Sequence, residues 1–255
     1  MSLGEALVEL DTLARRLRRD CPWDREQTAR TIVPHTVEEA YEVADAALAD
    51  DGAKLVDELG DLLFQVYFLS LLLEEQGRGN LEEVARGIHD KLVRRHPHVF
   101  GDEQIETAGA VRSRWERVKR EQEGREGIFH DVPESLPALI QARKVQRRAA
   151  AVGFEYPDVE GALADLDDEL RELRAELPDG PEDRLSAELG DVLFACVNVA
   201  RRIGADPELE LRQASRRFQQ RVETAERLAA AEGKQWVDLD LADQDRYFDR
   251  AKEAE

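Results

Sequence analysis

Glu38-Glu39-Ala40-Tyr41-Glu42, followed by Glu58-Leu59-Gly60-Asp61, is the stretch from which the fold can be read. The pattern returns 130 positions later as Asp168-Glu169-Leu170-Arg171-Glu172 and Glu188-Leu189-Gly190-Asp191. Laid over each other without a gap, 38–69 and 168–199 agree at nine positions, and four of those are carboxylates. Self-similarity at such a spacing predicts two related domains. A duplication that kept only its core would not keep its acids, so the acids read as chemistry.

Working outward, each half reads as five helices. Leucines 3, 7, 10, 13 and 17 mark a first helix over 3–19, which Cys21-Pro22-Trp23-Asp24 breaks. The next helices are expected over 36–49 (Thr36 as N-cap), 53–76, 81–95 and 110–122. Gly124, Gly127, Pro133 and Pro137 mark a linker. The second series follows over 138–151, 159–177, 182–203, 207–232 and 241–254. The expectation is all-α: a tandem repeat of helical-bundle domains at 1–124 and 138–255, joined by 125–137.

Composition narrows the function. With 56 acidic against 36 basic side chains the formal charge is −20, which repels nucleic acid and anionic membrane surfaces and suits divalent cations. No apolar run reaches the roughly 18 residues of a membrane span. The start of the chain lacks signal-peptide character, and Cys21 and Cys196 occupy non-equivalent positions. These features point to a cytoplasmic protein with free thiols.

Glu39 and Glu42 lie three apart on a helix and share a face, as do Glu58 and Asp61 on the next. A tight turn between the helices sets the two pairs facing each other. Uncompensated, such acids repel; a divalent cation removes the penalty, and all-oxygen ligation favours Mg²⁺, with Mn²⁺ as the substitute. The competing reading is a solvated acidic face. It is weaker for Glu58 and Asp61, which with Gln65 form a polar stripe on an apolar helix. Gly60 and Gly190, inside helices, point to close packing of a neighbour. A ferritin-like redox bundle wants Glu-x-x-His pairs, and none is present.

The acidic pattern resembles the MazG family of nucleoside triphosphate pyrophosphohydrolases. So do Cys21-Pro22-Trp23-Asp24, the Glu58 to Phe64 string, Arg94-Arg95-His96-Pro97-His98-Val99-Phe100 and the Trp115 to Lys119 stretch. The resemblance covers essentially the whole chain. It implies an all-α bundle, a homodimer, and Mg²⁺-dependent hydrolysis of NTPs to NMP and pyrophosphate in nucleotide housekeeping. The metal ligands it implies are Glu39, Glu42, Glu58 and Asp61 in the first half, and Glu169, Glu172, Glu188 and Asp191 in the second. Glu38 and its shorter counterpart Asp168 are candidates to position the attacking water.

Phosphate contacts are expected from Lys54 and Arg184, one turn before Glu58 and Glu188, and from the pairs Lys91 with Arg95 and Arg217 with Arg221. Trp115 with Lys119 and Phe248 with Lys252 offer an aromatic face and a cation, or simply packing. Trp23 and Phe154 read as core residues, with base stacking as the alternative, and His96 and His98 as structural. A nucleotide- and metal-binding regulator with little turnover is the alternative to the enzyme. Unequal neighbours, Tyr41 against Arg171 and Gln65 against Ala195, lead to an expectation of unequal turnover in the two halves, with the second favoured.

Overall fold

The computed structural model describes residues 1–101, 127–129, 132–178 and 180–254. They form helices and no strand, so the all-α expectation holds. The chain divides into two compact units, Met1–Trp115 and Glu116–Glu255. The helix expected over 110–122, with Trp115 and Lys119, lies outside the described residues.

In the first unit α1 (Leu3–Asp20) begins with a reciprocal capping box between Ser2 and Glu5. Cys21 ends it, and Pro22 at once starts the short helix α2 (Pro22–Glu26) instead of a loop. The third helix, α3 (Ala29–Leu48), starts a full two turns before the expected position. Thr28, not Thr36, is its N-cap, and it shares a reciprocal pair of side-chain bonds with Thr31. Pro34 hid this start. It is the sixth residue of the helix, past the first turn, where a ring is usually a stop signal, yet α3 continues through it.

Asp50, in the left-handed region at φ 54, turns the chain, and Asp51 caps α4 (Gly52–Glu75) through the Lys54 N–H at 3.0 Å. The two long helices therefore run antiparallel. Ile32 of α3 packs with Phe68 and Leu72 of α4, joined by Phe64 and Leu69. From α1, Arg15 forks onto Glu74 at 3.1 and 2.7 Å, and Arg18 onto Glu75 at 2.8 Å. Arg18 also donates to the Asp24 and Gln27 carbonyls, so one guanidinium ties α2 to α1 and α4. Asn80 caps α5 (Leu81–Arg95), and α6 (Pro97–Phe100) closes the series.

The second unit holds α7 (Ala138–Ala150), α8 (Val159–Glu176), α9 (Glu182–Arg202), α10 (Pro207–Ala231) and α11 (Leu241–Glu253). Asp158, Asp206 and Asp240 cap α8, α10 and α11. The buried Gln146 of α7 donates to the Phe194 carbonyl of α9 at 2.8 Å. Glu155 clamps Arg201 at 2.6 Å and Arg202 at 3.7 Å. Ala225, Ala229, Tyr247 and Ala251 join α10 to α11 in a small-residue core.

Two packing expectations fail. Trp23 is 53% exposed and Phe154 83% exposed, so neither is a core residue of its unit. Nor do Gly60 and Gly190 meet a neighbour, since a Cβ built at either position finds nothing within 4 Å. Both glycines lie beside outward-facing leucines, Leu59 and Leu189, on the surface of their helices. Within this chain they carry only the conformational cost of glycine in a helix. Gly60→Ala and Gly190→Ala are therefore expected to raise the urea unfolding midpoint, each by the equivalent of about 0.5–1 kcal/mol. A fall instead would show that another chain presses on that face.

Candidate active site

The hairpin of α3 and α4 places its acids at matched depths. Packing of Ile32 against Phe68 sets the register, and about two and three turns further along α3 Glu39 comes level with Asp61 and Glu42 with Glu58. Glu39, Glu58 and Asp61 each bring one carboxylate oxygen to within 4.8 Å of the others. Glu58 is buried, only 7% exposed, although α4 is otherwise apolar there. Glu42 completes the group as the charge acting most strongly on Glu58.

In the second unit the hairpin of α8 and α9 does the same. Glu169, Glu172 and Glu188 bring oxygens within 4.8 Å of one another, and Asp191 is the charge acting most strongly on Glu169. Each hairpin thus gathers all four expected acids, but the close triple differs. Glu42 is the outlier in one and Asp191 in the other.

The electrostatics follow from that crowding. Desolvation first, then the charges of Asp61, Glu42 and Glu58, push the Glu39 carboxyl above its usual range. Glu58 is raised by desolvation and by Glu42, with Lys54 opposing at 3.7 Å. Glu169 is raised by desolvation and then by Asp191, Glu172 and Asp165. Two acidic clusters on separate hairpins, with Glu39 and Glu58 in one and Glu169 in the other held above the ordinary carboxyl range, suit a hard cation with oxygen ligands. The donor set fits Mg²⁺: every ligand is oxygen, and the converging atoms lie close enough to share one ion.

The surrounding residues divide. Lys54 reaches Glu58 at 3.7 Å, but its counterpart Arg184 turns the other way and pairs with Glu176 at 2.6 Å. The exposed Glu38 faces His35 at 3.7 Å, whereas Asp168 is bound by Arg171 on its own helix. Arg171 thus stands beside the second cluster but is already engaged. Lys91 and Arg95 are half-buried on α5, which packs on α4; neither is among the charges acting most strongly on Glu39 or Glu58. Arg221 is half-buried and Arg217 exposed on α10.

Phe248 packs beside the Tyr247 cluster and stacks 5.6 Å from Phe218, while Lys252 lies 4.9 Å over its ring and 2.9 Å from Asp249. That is the packing reading of the pair. Asp165 escaped the sequence analysis. It accepts from the Tyr156 hydroxyl at 2.7 Å and adds charge to Glu169, and its place one turn before Glu169 was the available signal.

A raised carboxyl pKa has a definite consequence for stability. Between its unfolded and folded pKa values the folded state binds more protons, so the stability contribution falls as pH rises through that window. The arginine-paired Glu74, Glu75 and Glu155 are lowered instead and act in the opposite sense at more acid pH. Comparison with Glu39→Gln isolates the cluster. As pH rises from the ordinary glutamate range through the raised Glu39 value, without divalent cation, wild type is expected to lose stability relative to Glu39→Gln in urea titrations. Mg²⁺ is expected to restore it at neutral pH far more than at acid pH. Parallel curves for the two proteins would contradict the assignment.

Comparison with known proteins agrees with this geometry. Residues 27–100 match the family model described as the MazG nucleotide pyrophosphohydrolase domain, a span that contains the first acidic hairpin entire. The nucleoside triphosphate pyrophosphohydrolase of Escherichia coli K12 is 41% identical over 254 residues, covering 96% of each chain. A Thermotoga maritima protein named nucleoside triphosphate pyrophosphohydrolase/pyrophosphatase MazG is 37% identical over 253 residues, 98% of this chain and 96% of its own. A Mycobacterium tuberculosis nucleoside triphosphate pyrophosphohydrolase is 34% identical over 153 residues, 59% of this chain and 47% of its own. With two acidic helical hairpins and near-full-length relatives of this kind, the chain belongs to the MazG family.

Proposed function

We propose that the protein is a Mg²⁺-dependent nucleoside triphosphate pyrophosphohydrolase, converting NTP and water to NMP and pyrophosphate. The observation that carries this reading is the convergence of Glu39, Glu58 and Asp61, and again of Glu169, Glu172 and Glu188, on oxygen-only sites. The relatives' names supply the substrate class. Mg²⁺ held there would offset charge on the phosphate chain and raise the acidity of a coordinated water.

The rest is done by the chain's own groups. In the first unit Lys54 restrains Glu58 and offers its ammonium to a phosphate oxygen. The exposed Glu38 is free to accept a hydrogen bond from the attacking water, in reach of the His35 imidazole. In the second unit Arg171 fixes the Asp168 carboxylate for the same duty. Lys91, Arg95, Arg217 and Arg221 remain the proposed phosphate-chain contacts.

The setting proposed is cytoplasmic nucleotide housekeeping. Among the described residues no helix is long and apolar enough to cross a membrane. A homodimer is proposed as well. Leu7 and Val8 of α1, Leu63 and Val66 of α4, and Val84 and Ile88 of α5 line an apolar groove of about 730 Å³ in the first unit. Sedimentation at micromolar concentration is expected to show twice the 28.9 kDa chain mass, and a monomer alone would exclude the dimer.

Purified protein with Mg²⁺ is expected to release pyrophosphate from one or more NTPs and to stop on chelation. Glu58→Ala and Glu188→Ala combined should cut that rate by about two orders of magnitude or more. Calorimetry should show Mg²⁺ binding at the second cluster lost in Glu188→Ala or Asp191→Ala. Wild-type Mg²⁺ binding by either variant would overturn the ligand assignment.

A further inference from the structure

One end of the first hairpin carries groups that the metal cluster does not use. Gln65 lies one turn beyond Asp61, on the same stripe of α4 as Glu58, and is only 8% exposed. Its Oε1 is fully enclosed and has no hydrogen-bond partner among the described residues. Burying such an acceptor unpaired is costly, and native structures seldom do it without a ligand or water to complete the bond. Helical side chains lean toward the N-terminus of their helix, which tips the amide back toward Asp61 and the acids. In the register set by Ile32 against Phe68 and Glu39 beside Asp61, the α3 residue level with Gln65 is His35.

The His35 imidazole in turn meets the Trp23 indole edge-on, with ring centroids 6.0 Å apart. Trp23 is 53% exposed, held at the start of α2 by the bonds of Arg18 to the Asp24 and Gln27 carbonyls. An exposed indole therefore meets an imidazole that stands, by helix register, level with an unpaired amide oxygen, beside a cluster that is purely carboxylate. A large flat π face beside one acceptor suits a heterocycle bearing an N–H. In the second unit the equivalent positions are Phe154, Asp165 and Ala195. There Asp165 is taken by Tyr156, and the buried Ala195 has no polar atom to offer.

We propose that Trp23, His35 and Gln65 form a nucleobase-recognition site in the first unit, with Gln65 Oε1 accepting a hydrogen bond from a ring or amino N–H of the base. The second unit reads the base by other means or less strictly. This rests on the nucleotide reading of the acidic cluster and adds the residues that choose among bases.

The test uses the full chain with the second cluster disabled by Glu188→Gln and Asp191→Asn. Affinities for the α,β-methylene analogues of ATP, GTP, CTP and UTP, and for inorganic tripolyphosphate, are measured by calorimetry with Mg²⁺. Gln65→Ala and the volume-matched Gln65→Met are both expected to weaken the preferred analogue by roughly three- to tenfold. They should reorder the four analogues and leave tripolyphosphate within about twofold, since that ligand has no base for the amide to contact. Trp23→Ala should weaken all four analogues and spare tripolyphosphate. Equal weakening of all five ligands, or no change in any, would overturn the proposal. Base-selective binding by a parent protein that releases no pyrophosphate, while the unmodified chain also releases none from the corresponding NTPs, would count against the hydrolase and support the base site. Base-independent effects in an active enzyme would do the reverse.

Discussion

The crossing of α3 and α4 is held by apolar packing against its own electrostatics. Ile32, Phe64, Phe68 and Leu72 fix the register at one end, and the Asp50–Asp51 turn closes the other. Between them the helices have no freedom to slide, so Glu39, Glu42, Glu58 and Asp61 are forced together. The same antiparallel logic in α8 and α9 crowds Glu169, Glu172, Glu188 and Asp191. Repulsion within each group is not relieved by local arginines, in contrast with Glu74, Glu75 and Glu155, each of which has one. Hydrophobic burial elsewhere in the hairpin sustains an arrangement that the acids alone would reject, and the crowded charge is what the proposed cation would offset.

The support for that hairpin is also electrostatic, but of the opposite kind. Arg15 and Arg18 fork onto Glu74 and Glu75 at the far end of α4 and bring α1 and α2 with them. Exposed ion pairs contribute little individually; here the geometry is bidentate and Arg18 makes additional bonds to two carbonyls, which favours positioning over raw stability. The consequence is specific. Trp23 sits where it does, against His35, because α2 is tethered by Arg18.

The two units are not copies in their surroundings. Lys54 serves its cluster where Arg184 has turned to Glu176, and Glu38 is open where Asp168 is bound by Arg171. Gln65 faces inward where Ala195 has nothing to offer. The two hairpins thus share their acids and differ in the side chains beside them.

Much of this was legible in the linear sequence. The helical class, most helix ends and both acidic groups follow from periodicity, caps and the 130-residue offset, because helix formation and i,i+3 neighbours are local effects. The start of α3 was misread at Pro34, where a local breaker signal lost to the Thr28 cap and the packing of Ile32 on α4. Other features could be decided only in three dimensions. Trp23 and Phe154 looked apolar enough for a core, but burial depends on what packs opposite: Trp23, edge-on to His35, stays 53% exposed and Phe154 83% exposed. Sequence spacing gave Lys54 and Arg184 equal claims on their acids; the actual partners were set by which carboxylate lay within reach across the hairpin. The unpaired oxygen of Gln65 is the clearest case, since whether a buried polar group is satisfied is a property of its neighbours in space and not of its place in the chain.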